Sequence, residues 1–308
     1  MALWIYCRDI KVNKPAYFKM GGPLLIACNH PNSFLDAIIL STLFDQPVYS
    51  LARGDAFASP FYDKLLRSLN MFPVYRVSEG VENLEQNYKT FDDCKTIFKK
   101  DGIVLIFSEG RCINEWHLRP LKKGTARLAI SSWQQGIPLN VLPVGINYSS
   151  YTRFGKNMII DFGKVITAND IDINDAPGKA LVDFNALLKK ELEAIVLELD
   201  KKDQAKIESL FAVKIPLPKK ILLFIPATLG WLLHAPLYYP IKKFTWAKAK
   251  DNDHFDSVMI GLLFIIYPFY LLLFYIILSC FIGWLYALPI FILIPFCARA
   301  AVQLKGQF

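Results

Sequence analysis

The chain has 308 residues and a formal charge of +8 on only 20% charged side chains, with 54% hydrophobic and 14% aromatic residues. Such a composition excludes a disordered chain and a coiled coil, and the length suits one large domain or two small ones. A basic balance attracts nucleic acid, anionic lipid or phosphorylated substrates about equally well, so the placement of the lysines has to separate them.

From the N-terminus, Met1–Cys7 is apolar but too short for a signal peptide, and Arg8, Asp9 and Lys11 follow it. Leu24–Cys28 reads as a strand, and it breaks into Asn29-His30-Pro31-Asn32-Ser33-Phe34-Leu35-Asp36 at the mouth of a sheet-to-helix turn. A helix is predicted over Phe34–Leu43, a strand over Pro47–Leu51, a helix over Asp55–Leu69 and an extended run over Met71–Tyr75. An amphipathic helix follows over Val81–Lys100. The apolar strand Gly102–Phe107 then enters Ser108-Glu109-Gly110-Arg111. Helix Lys123–Ser132, strands Val141–Ile146 and Met158–Phe162, and a long helix Gly178–Leu199 complete this part. Strands alternating with helices predict an α/β domain over 1–215, with a mixed or mostly parallel sheet flanked by helices. Polar motifs just past strand ends fall where such sheets bind ligands.

The last third differs in kind. Ile221–Ile241 is apolar apart from Thr228 and His234 and carries Pro226, Pro236 and Pro240; Val258–Ala298 contains no charged residue. The second run is roughly twice the length needed to cross a hydrocarbon core, so it predicts a transmembrane hairpin over 258–298. Lys219, Lys220, Lys242, Lys243, Lys248, Lys250, Arg299 and Lys305 flank the apolar units, so each should leave and return on the cytoplasmic side. The segment 221–241 is too short to cross twice, which predicts an amphipathic or re-entrant helix, with a single crossing left open. Residues 216–308 are thus a membrane-associated helical region. The expected setting is a bacterial inner membrane with the α/β domain on the cytoplasmic side.

The chemistry concentrates at His30 and Asp36. They lie six positions apart, about 600° around a helix at about 100° per residue, so they cannot share a helix face. They pair only if His30 sits in the turn and swings back over the first helical turn, where Asp36 would fix its tautomer. Spacing alone equally allows His30 to be a helix cap. Arg76 ends the run Phe72-Pro73-Val74-Tyr75, where an isolated arginine is more often a surface group. In Glu109-Gly110-Arg111 the glycine permits a close approach and the arginine offers a fork suited to phosphate, although an ordinary Glu/Arg pair fits as well. Lys122 and Lys123 form a basic turn before a helix that either contacts phosphate or faces water. The six cysteines are scattered and read as buried thiols, and His117, His234 and His254 show no metal-ligand pattern.

Four blocks in order carry a resemblance: Asn29-His30 to Asp36; Phe72-Pro73-Val74-Tyr75-Arg76; Phe107-Ser108-Glu109-Gly110-Arg111; and Val141-Leu142-Pro143-Val144. Over roughly residues 20–200 the chain resembles the glycerolipid acyltransferases, which include glycerol-3-phosphate and lysophosphatidic acid acyltransferases. The resemblance implies His30 as general base with Asp36 orienting it. It implies Arg76, Glu109, Gly110, Arg111, Lys122 and Lys123 on the phosphorylated-acceptor side, and Pro143 and Val144 on the acyl-donor side. It further implies acyl-CoA or acyl-carrier protein as donor substrate, no resident cofactor or metal, a glycerol phosphate or lysophospholipid acceptor, a lipid bilayer as partner, and no nucleic acid. Two departures stand out. Five residues separate His30 from Asp36 where the family block has four, and Ser108 stands where the third block commonly has proline. The longer spacing resembles a branch with glycerol-3-phosphate and dihydroxyacetone-phosphate acyltransferases. A non-phosphorylated or amino-acid-containing lipid acceptor, or a non-catalytic lipid-binding scaffold, are the competing readings.

Overall fold

The computed structural model describes residues 5–75, 86–173 and 177–305. A seven-stranded sheet is built from β1 (Cys7–Val12), β2 (Leu24–Cys28), β3 (Val48–Arg53), β4 (Met71–Val74), β5 (Ile103–Phe107), β6 (Asn140–Tyr148) and β7 (Lys156–Phe162). Its order is β1-β7-β6-β2-β5-β3-β4. All neighbouring pairs are parallel except the antiparallel β6–β7 pair, so the mostly parallel, mixed sheet read from the sequence is present. The helices of this part are α1 (Phe34–Leu43), α2 (Pro60–Ser68), α3 (Gln86–Phe98), α4 (Lys123–Gln134), α5 (Pro177–Glu193) and α6 (Gln204–Phe211).

β2 lies at the centre, between β5 and β6, and all five of its side chains are buried. A strand covered on both faces has to be apolar throughout, which is why Leu24–Cys28 lacks alternation. Two cores result. On one face Leu24, Ile26, Leu105 and Val144 pack with α1 and the start of the apolar C-terminal region. On the other, Leu25, Val104 and Val141 pack with α3, α4 and α5. Residues 81–85 of the helix expected over Val81–Lys100 lie outside the described residues. The edge strand β1 had no counterpart in the sequence reading, because Arg8, Asp9 and Lys11 interrupt its apolar pattern.

The last third forms three helices, α7 (Leu217–Ala249), α8 (Phe255–Ile282) and α9 (Trp284–Leu304), each long and apolar enough to cross a membrane. Gly283, at φ 83, makes the turn between α8 and α9, a backbone region that L side chains rarely adopt. Phe264, Phe269, Phe281, Trp284 and Tyr286 are exposed, as side chains facing lipid would be. Residues 221–241 lie within the single helix α7, together with their three prolines. Gly230 lets α7 and α9 touch backbone to backbone: a Cβ there would collide with the carbonyl oxygen of Cys297.

Candidate active site

The site lies where β2 and β5 end. Beyond Cys28 the strand pattern continues through a side chain: Asn29 Nδ2 donates to the Ile146 carbonyl (3.0 Å) and its Oδ1 accepts the Ile146 N–H (2.8 Å). This clamp to β6 fixes the take-off of the following turn. His30 then swings back over α1, and its Nδ1 lies 2.9 Å from Asp36 Oδ2. The pair forms across six positions because the turn folds over the first helical turn instead of lying on a helix face.

Asp36 is fully buried and makes three polar contacts. Oδ2 receives His30 Nδ1 and the Asn32 main-chain N–H (2.8 Å), and Oδ1 receives the Tyr148 hydroxyl at 2.6 Å. A buried carboxylate supplied with donors in this way can hold Nδ1 protonated. Nε2 is then left as the basic nitrogen, without a partner among the described residues. The imidazole stacks on Phe107 with centroids 3.8 Å apart and planes 12° from parallel. Its orientation is therefore set by a ring on one side and a carboxylate at one edge. The His30 side chain retains 15% exposure, enough for contact from outside.

Glu109 braces the same turn. Its Oε2 accepts the His30 main-chain N–H at 2.8 Å and its Oε1 accepts the Arg119 N–H at 2.9 Å. Burial raises its pKa above the ordinary carboxylate value, opposed by those two main-chain donors and by His30. Both oxygens are engaged within the protein, so Glu109 joins two loops. Gly110 has φ 66, and a Cβ there would meet the Lys122 Cγ at 2.9 Å, so this position calls for glycine. Ser108 fits the same logic, since its N–H donates to the Cys28 carbonyl at 2.9 Å, a bond proline could not make.

Lys122 and Lys123 are exposed at the N-terminus of α4, whose dipole adds to the positive field, and exposed Arg111 follows Gly110, which lies against Lys122. Among the described residues Arg111 has no ion-pair partner. Arg119, by contrast, is tied to Glu115 at 2.5 Å. Arg76 lies outside the described residues. Pro143 and Val144 are buried in β6, opposite Ala27 and Cys28. Cys7, Cys28 and Cys94 are buried free thiols, whereas Cys280 is exposed on α8.

The sequence reading missed several residues. Tyr148 reaches Asp36 from the far end of β6. Asp256, in the first turn of α8, accepts hydrogen bonds from Tyr6 (2.6 Å) and Asn32 (2.8 Å) and pairs with buried Lys156. His254 Nδ1 stands 2.7 Å from Ser33 Oγ. The available signal for Asp256 was a carboxylate at the head of an uncharged run, where a charge is costly without a partner.

Residues 9–147 match the family model described as Acyltransferase. No curated protein matches. Among solved structures, the 1-acyl-sn-glycerophosphate (LPA) acyltransferase PlsC from Thermotoga maritima is similar at 14% identity and a TM-score of 0.45. The likeness covers 70% of this chain and 77% of that one, and at that level it decides nothing about substrate or mechanism. The matched stretch holds the turn that closes His30 onto Asp36 and the Glu109–Arg111 block, so residues 9–147 are similar to an Acyltransferase domain.

Proposed function

We propose that the chain moves a fatty acyl group from an acyl thioester, on coenzyme A or acyl-carrier protein, to a hydroxyl of a glycerol phosphate-type acceptor at a membrane surface. The observation that carries this reading is the His30 Nδ1–Asp36 contact of 2.9 Å, with the imidazole still 15% exposed. It supports His30 Nε2 as the base. The acceptor hydroxyl gives its proton to Nε2 as its oxygen attacks the thioester carbonyl. Asp36 offsets the charge that develops on the imidazole. The tetrahedral adduct collapses by breaking the C–S bond, and the imidazolium returns the proton to the departing thiolate. An ester and a free thiol result, with no covalent acyl-enzyme.

Lys122 and Lys123 at the head of α4, with exposed Arg111 beside Gly110, support phosphate recognition on the acceptor, with Arg76 assigned to the same side from its motif. We assign 1–215 to catalysis and 216–308 to membrane seating. Both ends of α7 return to the α/β unit. Lys219 meets Gln303, which bonds the Arg8 carbonyl, while beyond the other end Asp253 accepts the Asn114 N–H at 2.8 Å. A helix of about 50 Å with both ends on one side supports an in-plane course, and α8–α9 a hairpin that dips into the bilayer and returns. A cavity of about 810 Å³ among α7, α8 and α9, lined by Phe224, Trp231, Leu263, Tyr267 and Val302, offers apolar room for a lipid chain.

The test is a matrix of acyl-CoA and acyl-carrier protein donors against glycerol-3-phosphate, dihydroxyacetone phosphate and lysophosphatidic acid, with products weighed by mass spectrometry. An acylated phosphate ester is expected. Transfer only to a non-phosphorylated or amino-acid-containing lipid would contradict the acceptor assignment.

A further inference from the structure

The turn from His30 to Asp36 contains a residue in an unusual backbone state. Ser33 takes φ 53, an uncommon backbone state for a residue with a side chain, and Asn32 beside it is fully buried. Such a turn has to be held from outside itself, and two holding contacts come from far along the chain. Asn32 Nδ2 donates to Asp256 Oδ2 at 2.8 Å, and Ser33 Oγ meets His254 Nδ1 at 2.7 Å. Asp256 is itself fixed, by the Tyr6 hydroxyl at 2.6 Å on Oδ1 and by Lys156 on Oδ2, all three residues being buried. The remaining amide oxygen of Asn32 has no partner among the described residues, so its amide is oriented toward Asp256 at the expense of its own acceptor. The chain of contacts then runs into the chemistry. The Asn32 main-chain N–H donates to Asp36 Oδ2, the same oxygen that faces His30 Nδ1.

We propose that Asp256, with His254 beside it, positions the His30/Asp36 pair, so that the first turn of the apolar helix α8 is a working part of the acyl-transfer site as well as the start of an anchor. This rests on the reading of His30 as the base. Asp256 acts through Asn32 and touches no substrate; it is a positioning residue. The turn and the carboxylate at the head of α8 belong together, since the second holds the first.

The experiment uses the full chain in lipid nanodiscs. Asp256→Leu alone would strand the buried Lys156, so it is paired with Lys156→Met, which keeps the site neutral. This K156M/D256L protein is expected to lose about 10–100-fold in kcat while both substrate KM values stay within about twofold. K156M/D256N, which restores an acceptor oxygen to Asn32, should recover most of the loss. Asn32→Ala removes the same bond from the other side and should lower kcat similarly. Added to K156M/D256L it should cost little more, as partners in one interaction do. Wild-type kcat in folded K156M/D256L, or a rise in KM alone, would overturn the proposal. If the paired variant does not fold, wild-type kcat in N32A overturns it. Should the wild-type protein transfer no acyl group, the base assignment fails first. Positioning is then read from the His30 Nδ1–H proton resonance, which should move in K156M/D256L; an unchanged resonance would dispose of the proposal.

Discussion

At the residue scale the pocket is arranged around one carboxylate. Asp36 receives donors from a histidine, a main-chain amide and a tyrosine, so each donor withdrawn should register separately. Tyr148→Phe leaves Asp36 Oδ1 buried without that donor, and denaturant unfolding should show a loss of about 1–3 kcal/mol. Glu109→Gln places an amide NH₂ against one of two main-chain donors and should cost a similar amount, roughly 1–3 kcal/mol. Its pH behaviour has a definite sign. The folded-state pKa of Glu109 is raised by burial, so its contribution to stability is fully present below the unfolded carboxylate value and is lost as pH rises through the folded one. Glu109→Gln should therefore flatten the stability–pH curve just above the ordinary carboxylate range; a curve parallel to wild type would contradict that assignment. The His30/Asp36 pair was legible in the sequence because it is local, both members lying within one turn. Tyr148 and Asp256 were not. Tyr148 arrives on β6 from 112 positions beyond Asp36, and Asp256 on α8 from 224 beyond Asn32; no local pattern records such meetings.

At the scale of elements, the apolar strands were readable because burial on both faces leaves a direct mark, and the helix Phe34–Leu43 because an apolar run follows the turn after β2. β1 was hidden by its charges, and the full length of α7, beyond the predicted 221–241, by three prolines that normally end or kink a helix. The close passage of α7 over α9 depends on Gly230. Gly230→Val should push the two helices apart, lowering the melting temperature in nanodiscs by several degrees; unchanged melting would mean that the contact adapts at no cost.

For the whole molecule, the α/β unit and the apolar helices share a buried seam at Tyr6, Asn32, Lys156 and Asp256. A chain cut before Lys219 should thus lose transfer even toward dispersed, short-chain substrates, because it lacks the groups that hold the catalytic turn. Full activity in such a fragment would reduce the last third to an anchor. The central claim is that His30 is the base of an acyl transfer. Its most direct measurement is single-turnover transfer from an acyl thioester to a glycerol phosphate acceptor by wild-type protein and by His30→Ala in nanodiscs, each checked for folding. Esterified product is expected from the wild type, with a loss of at least about 10²–10⁴-fold in H30A and acceptor binding largely retained; transfer by folded H30A at a rate near wild type would contradict the assignment.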